Sequence, residues 1–250
     1  MMVDARFSPR DITGMTPSPD THAPLLQLQT NLWALEGRHP SMPINRWMAV
    51  ARLGDGRLLI HNPVLDDSAL RAVDALGMPA FIVIPNRFHG RDAVPFKQRY
   101  PQAQVLCPAA SAPSLRRQKK IIDGGLDQLP VDGAVRLEPL DGIKTGEAVL
   151  RVVDAGGSTT LVFGDALFNM PHGPGFKLGV LRLIGSTGGP RVTPLMQLAA
   201  VSDKVALAAH LRRLSATPGL ARLIPGHGVV IDSAAAAALA AVAERLSPQN

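Results

Sequence analysis

Three short segments carry the side chains most able to do chemistry. Thr159–Asn169 (TTLVFGDALFN) is a β-rich apolar run that ends in Gly164-Asp165. Ala221–Ile224 is a second short apolar run, and it ends in Pro225-Gly226-His227-Gly228. In both, a potential metal ligand sits at the C-terminal tip of a strand pattern, before residues that allow a sharp turn. The third segment, Asn86-Arg87-Phe88-His89-Gly90-Arg91-Asp92, follows the apolar run Ala80–Pro85 and holds an amide, an imidazole and a carboxylate. Imidazoles and carboxylates converging from several strand tips can hold a divalent ion that activates water, provided one coordination position stays open. The residue types leave open whether such an ion would be zinc, iron or manganese. The Asn86 amide is a weak zinc ligand, though acceptable to harder ions.

Each of these residues also has a plainer use. Asp165 could cap a helix or accept turn N–H groups, His227 could be a satisfied turn histidine, and His89 could open a helix over Asp92–Tyr100. Other polar residues stand at strand ends or in loops. Arg46, in Asn45-Arg46-Trp47-Met48, is either a buried structural cation or an anion contact. His61 closes a strand, and His172 follows the Gly-Asp turn closely enough to share its cleft. Gly185–Gly189 (GSTGG) lacks the Lys of a P-loop and reads as loop. Cys107 ends an apolar strand, which suits a packing thiol better than a nucleophile. No GxSxG elbow accompanies the histidines, so a serine hydrolase has no support.

The elements that must position these residues show in the apolar pattern. Strand-like runs cover Gln27–Glu36, Pro43–Leu53 and Arg57–Ile60, the last two joined by the hairpin signal Gly54-Asp55-Gly56. Asp67–Leu76 has helical spacing, an acidic start and a stop at Gly77. Ala80–Pro85 and Gln104–Cys107 read as strands on either side of the Asp92–Tyr100 helix, an alternation that packs helices on a sheet. The second half restarts with strands at Val135–Leu140, Ala148–Val153 and Thr160–Phe163. A Gly/Pro-rich stretch follows, Pro171–Pro194, long enough to be a site-flanking loop. Helices at Asp203–Leu214 and Ser233–Leu246 enclose the strand Ala221–Ile224.

The Gly164-Asp165 and Pro225-Gly226-His227 turns, in that order, resemble the last two ligand segments of the metallo-β-lactamase fold superfamily. The resemblance spans about residues 27–232. It implies an α/β (α+β) fold, the four-layer αββα sandwich. The family's first ligand segment reads Thr-His-x-His-x-Asp-His, and Pro85–Asp92 lies in its place. Without gaps, Asn86 takes the first His position, Phe88 the second, Gly90 the Asp and Arg91 the last His; a one-residue slip brings His89 onto the second. For the middle His segment, Val153-Asp154-Ala155-Gly156-Gly157-Ser158 keeps glycines and no His. The resemblance therefore implies a divergent branch with a mononuclear site at most. On that footing His89, Asp165 and His227 are the expected metal ligands, and Asn86, His89 and Asp165 the expected catalytic residues. The implied reaction is attack of water on an ester, thioester, lactone or phosphoester, with Asn86 or Arg46 steadying the oxyanion or an anionic group. The alternative is a metal-free pseudoenzyme that binds a small molecule or a protein partner.

Composition narrows the remaining classes. The 250 residues suffice for one large domain, expected over 25–250, and no apolar run approaches a membrane span. The opening residues 1–24 contain no apolar core of a signal peptide and are expected to form a disordered or loosely attached arm. A lone cysteine cannot form an internal disulfide, which points to a cytoplasmic setting. Net charge is +6, yet there is one tight cluster, Arg116-Arg117-Gln118-Lys119-Lys120, and only two Trp and one Tyr. Nucleic acid is thus a poor partner, and the cluster is either a solvated helix face or an attractor of an acidic substrate. A homo-oligomer is compatible with everything above.

Overall fold

Strict alternation of side chains along the N-terminal strands sets the layering of the molecule. The computed structural model describes residues 24–38, 42 and 44–246, so the expected arm over 1–24 lies outside the described residues but for Pro24. Strands β1 (Leu26–Gln29), β2 (Leu32–Arg38), β3 (Asn45–Arg52), β4 (Leu58–His61), β5 (Pro79–Val83), β6 (Gln104–Cys107) and β7 (Gly124–Gly125) form one sheet in sequence order. In β3, Met48 and Val50 face one apolar core while Trp47, Ala49 and Ala51 face another. Both faces of the sheet are therefore covered, as its fully apolar strands require.

Helices α1 (Asp67–Leu76), α2 (Ala93–Arg99) and α3 (Ala112–Arg117) cover the outer face through Ala69, Val73, Phe96 and Leu115. The α1 start is fixed by Asp66, whose side chain accepts from the Ser68 and Ala69 N–H groups. The second sheet runs β12-β10-β9-β8, from β8 (Val135–Pro139), β9 (Ala148–Val153), β10 (Thr159–Val162) and β12 (Leu220–Ile224). Its inner face sets Leu150, Val152, Val162 and Ile224 against Trp47, Phe81 and Val83 of the first sheet. Helices α6 (Lys204–Ser215) and α7 (Ala235–Leu246) close its outer face with Leu207, Leu211, Leu239 and Val242. Three cores between four layers make the expected αββα sandwich. Among the described residues no helix is long and apolar enough to cross a membrane.

The parallel pairs matter most for function. The pairs β4–β5 and β10–β12 each bring two C-terminal strand tips side by side. A further short pair, β11 (Phe168–Asn169) with β13 (His227–Gly228), continues from those tips.

Two expectations need correction. The run 27–36 is not one strand: Thr30-Asn31 turns the chain into the β1–β2 hairpin, and Asn31 Nδ2 holds that turn to the Val153 carbonyl at 2.9 Å. The Pro171–Pro194 stretch is not all loop, because it contains helix α4 (Phe176–Leu183), and α5 (Pro194–Ala199) starts at its end. Phe176, Val180, Leu183 and Ile184 have helical spacing that Gly173, Pro174, Gly175 and Gly179 obscure. The GSTGG segment packs in place, with Ser186 and Thr187 buried.

Candidate metal centre

Asp165 stands just past the tip of β10, and its Oδ1 is approached by two imidazoles. His89 Nε2 lies 3.0 Å from it and His227 Nε2 3.1 Å. Potential ligand atoms of the three residues all lie within 4.8 Å of one another, and all three side chains are buried. The structure thus brings together the three sequence-predicted ligands from separate strand tips. Among the described residues no other group of three His, Cys, Asp or Glu side chains is so placed.

The outer nitrogens of the imidazoles determine what the inner ones can do. His227 Nδ1 faces the Asn45 backbone carbonyl at 2.5 Å, so it carries the proton and donates. His89 Nδ1 faces Asn62 Oδ1 at 3.0 Å. The Asn62 amide is oriented by its Nδ2, which donates to the Trp47 carbonyl at 2.8 Å, so His89 Nδ1 donates as well. Each neutral imidazole then turns an Nε2 lone pair towards a carboxylate oxygen. Lone pairs do not bond to lone pairs. Either both rings are imidazolium, or a cation belongs between the two nitrogens and Asp165. Imidazoles held through Nδ1–H by carbonyl oxygens are oriented as metal ligands are, so these residues fit a divalent ion.

Local sequence explains each position. Gly226 passes so close to β10 that a Cβ on it would lie 2.0 Å from the Gly164 carbonyl oxygen, so glycine is required there. Beyond His227, the Gly228 carbonyl accepts from Asn45 Nδ2 and Trp47 Nε1, both at 2.9 Å, and the Gly228 N–H donates to Asn45 Oδ1 at 2.6 Å. The start of β3 therefore clamps the turn that carries His227. Asn62 sits at φ 55°, a left-handed conformation that Asn tolerates better than most residues. Phe168 packs its ring 4.6 Å from that of His227.

Asn86 and Glu147 hold the other side of Asp165. Asn86 Nδ2 donates to Asp165 Oδ2 at 3.1 Å and to Glu147 Oε2 at 3.0 Å, while Asn86 Oδ1 accepts the Phe88 N–H at 2.8 Å. Both amide hydrogens are used, so none is left for an oxyanion, and Asn86 works here as a positioning residue. Glu147 Oε1 accepts the Gly164 and Ala166 N–H groups at 3.1 and 2.8 Å, fixing the backbone on both sides of Asp165. Burial, and then the Asp165 charge, push the Glu147 carboxyl up to about 8, against the three N–H donors that favour its ionised form. Burial alone would raise Asp165 too. The facing His89 and His227 outweigh it and hold that carboxyl well below the usual range.

Glu147, Asn62 and Asn45 are the residues that sequence reasoning missed. Gly146-Glu147, immediately before β9, is the signal for the first. The segment expected in that role, Val153–Ser158, joins β9 to β10 at the opposite end of the sheet from Asp165. Arg46 is a structural cation: it forms a buried ion pair with Asp92, which also accepts the Leu65 N–H at 3.0 Å. Asp92 is thereby taken away from the ligand group. His172 is exposed and paired with Thr187 Oγ1 at 2.8 Å, outside the site. His61 is fully buried with neither ring nitrogen partnered, and burial pushes it down to about 3, so it is neutral. Burial pushes the Cys107 thiol up to about 11, which removes it as a nucleophile.

No protein-family model and no curated protein matches the chain. Solved structures do. The metallo-β-lactamase DIM-1, in a crystal exposed to ceftazidime, aligns over 91% of this chain and 100% of its own at a TM-score of 0.60 and 17% identity. TMB-1 aligns over 90% of this chain and 98% of its own at 0.58 and 15%. FIM-1 from Pseudomonas aeruginosa, a metallo-β-lactamase in its mono-zinc form, aligns over 90% and 98% at 0.56 and 13%. With its strand order, its four layers and its match to these structures, the chain has the metallo-β-lactamase fold.

Proposed function

We propose that the protein binds one divalent metal ion through His89, Asp165 and His227 and is a metal-dependent hydrolase of an ester, thioester, lactone or phosphoester. The supporting observation is the pair of Nε2 atoms aimed at one carboxylate oxygen, each ring fixed by a carbonyl acceptor on its far side. An ion held there supplies the Lewis acidity that activates water and polarises the bond to be broken. The chain's own residues do the rest. Asn62 and the Asn45 carbonyl fix the ring orientations, while Asn86 and Glu147 fix the carboxylate. Phe168 against the His227 ring, together with the burial of all three ligands, keeps bulk water away from the charged group. With Asn86, Phe88, Gly90 and Arg91 in the first ligand segment, too few imidazoles remain for a second ion. FIM-1 in its mono-zinc form is a neighbour of the same fold with one zinc. Cys107, buried and single, suits a cytoplasmic setting.

The test is metal content. Protein purified without a histidine tag, from cells supplied with zinc, iron and manganese, is expected to carry near-stoichiometric metal. Asp165→Ala and His227→Ala are expected to carry none, and chelation is expected to abolish turnover in a panel of the four ester classes. Folded wild-type protein that is free of metal and indifferent to added zinc would overturn the proposal in favour of the pseudoenzyme.

A further inference from the structure

Basic side chains surround the loop that carries the buried His89. Arg87 and Arg91 flank it in sequence, and the Arg87 guanidinium lies 4.6 Å above the ring of Phe88, which is 52% exposed. The Arg116–Lys120 cluster, at the C-terminal end of α3, is packed against this same loop. Gln118 Nε2 donates to the Arg87 carbonyl at 3.2 Å. A Cβ on Gly90 would lie 3.0 Å from Leu115 Cδ2 and 3.3 Å from Lys120 Cγ, so those side chains rest on the residue next to His89. Lys119 takes the left-handed conformation at φ 59°, turning the chain so that the Lys120 N–H reaches the Leu115 carbonyl at 3.0 Å.

Nothing nearby neutralises this charge. Between Asp74 and Asp123 the sequence holds a single acid, Asp92, which is buried against Arg46. Lys97 and Arg99 are matched by Asp123 and Asp74 at 2.9 and 2.7 Å. Arg91 Nε comes no nearer than 3.7 Å to Asp92. Among the described residues, Arg87, Arg116, Arg117, Lys119 and Lys120 have no carboxylate partner, and the Arg87 Nε is buried with no acceptor. Uncompensated like charges repel one another, which a neutral substrate would do nothing to relieve. A phosphoryl dianion would relieve it, accepting several N–H bonds from guanidinium groups.

We infer that this basic rim binds the phosphate of a small phosphate ester and presents it to the site, which rests on the hydrolase proposed above. Phe88 gives the organic part of such a ligand one aromatic face. A polynucleotide would need a row of such faces, and the rim has one.

The experiment is calorimetric titration of the protein as purified, its metal content measured in parallel, with phenylphosphonate as the uncleavable probe. The comparison is Arg116→Gln/Arg117→Gln/Lys119→Gln, three exposed side chains whose loss leaves the fold and the ligand group intact. The triple variant is expected to bind phenylphosphonate about tenfold more weakly, the sum of three exposed charge contacts. Its metal content should be unchanged, and its residual binding should be less sensitive to salt. Equal affinity in wild type and variant would overturn the inference and leave the cluster a solvated helix face. Variant-sensitive binding by protein that carries no metal would support the anion site and overturn the hydrolase. A single-stranded oligonucleotide that binds more tightly than phenylphosphonate, and is lost in the same variant, would overturn the small-molecule ligand.

Discussion

Asn62 touches no reacting atom, yet its amide oxygen decides which nitrogen of His89 carries the proton. Asn62→Ala is expected to keep the ligand set and weaken metal binding by about 10–100-fold, as loss of such an outer partner does, measured by competition with a coloured chelator. Glu147→Gln tests the other flank. Whichever way the new amide turns, an N–H meets either Asn86 Nδ2 or the Gly164 and Ala166 N–H groups. A buried donor without an acceptor costs about 1–3 kcal/mol, so urea unfolding should shift by that much above a pH of about 8, where the wild-type Glu147 is ionised and only accepts. Cys107, with its thiol pushed up to about 11, is expected to be inert to thiol reagents at neutral pH and titratable as one thiol after unfolding. Because its pKa is raised on folding, the stability linked to it is complete below the unfolded thiol's pKa and declines as pH rises towards that higher value. At this scale the sequence revealed residues whose chemistry shows in their own neighbours. Asp165 and His227 stand beside turn glycines. Asn45 does not show in this way, since its partner Gly228 is 183 residues away, and no local pattern records such a pairing.

Turns that follow the strand tips place His89, Asp165 and His227, and where two of those turns meet the backbone is intolerant of change. Gly226→Ala would push a methyl group onto the Gly164 carbonyl. Separating β12 from β10 at that point is expected to cost about 1–3 kcal/mol and to reduce metal content, read by denaturation and elemental analysis of the same sample. The Arg46–Asp92 ion pair ties the start of β3 to the start of α2. Asp92→Ala would leave a guanidinium buried alone, a loss of about 3–5 kcal/mol that the Arg46→Met/Asp92→Leu double variant should largely restore. Most elements were legible because apolar alternation and helical spacing survive in a single sequence. Helix α4 was hidden by glycine and proline, which lower helix propensity without forbidding the helix. The β1–β2 turn was hidden because Asn31 draws its partner, the Val153 carbonyl, from the other sheet.

The proposed ion would link the site to the stability of the whole molecule, since His89 follows a strand of the first sheet while Asp165 and His227 follow strands of the second. An ion that binds only the folded chain adds about 2.7 kcal/mol at a concentration one hundred times its dissociation constant. For a chain of this size chelation is therefore expected to lower Tm by about 5–10 °C, and Asp165→Ala should show no such shift. The four-layer plan was legible through two short turns and their order. The charge on the rim was legible as composition, but its place beside His89 follows from packing between α3 and the 86–92 loop, which no spacing rule gives. The clamp of β3 on Gly228 has one more consequence, and it concerns synthesis. A ribosome makes Asn45 early and Gly228 late, so a growing chain can fold its first sheet long before the last ligand exists. If the chain binds the ion proposed above, its capture is closed to every unfinished product that stops short of Gly228. Loading would then mark the finished chain, because only that chain has the residues of both sheets that make up the group.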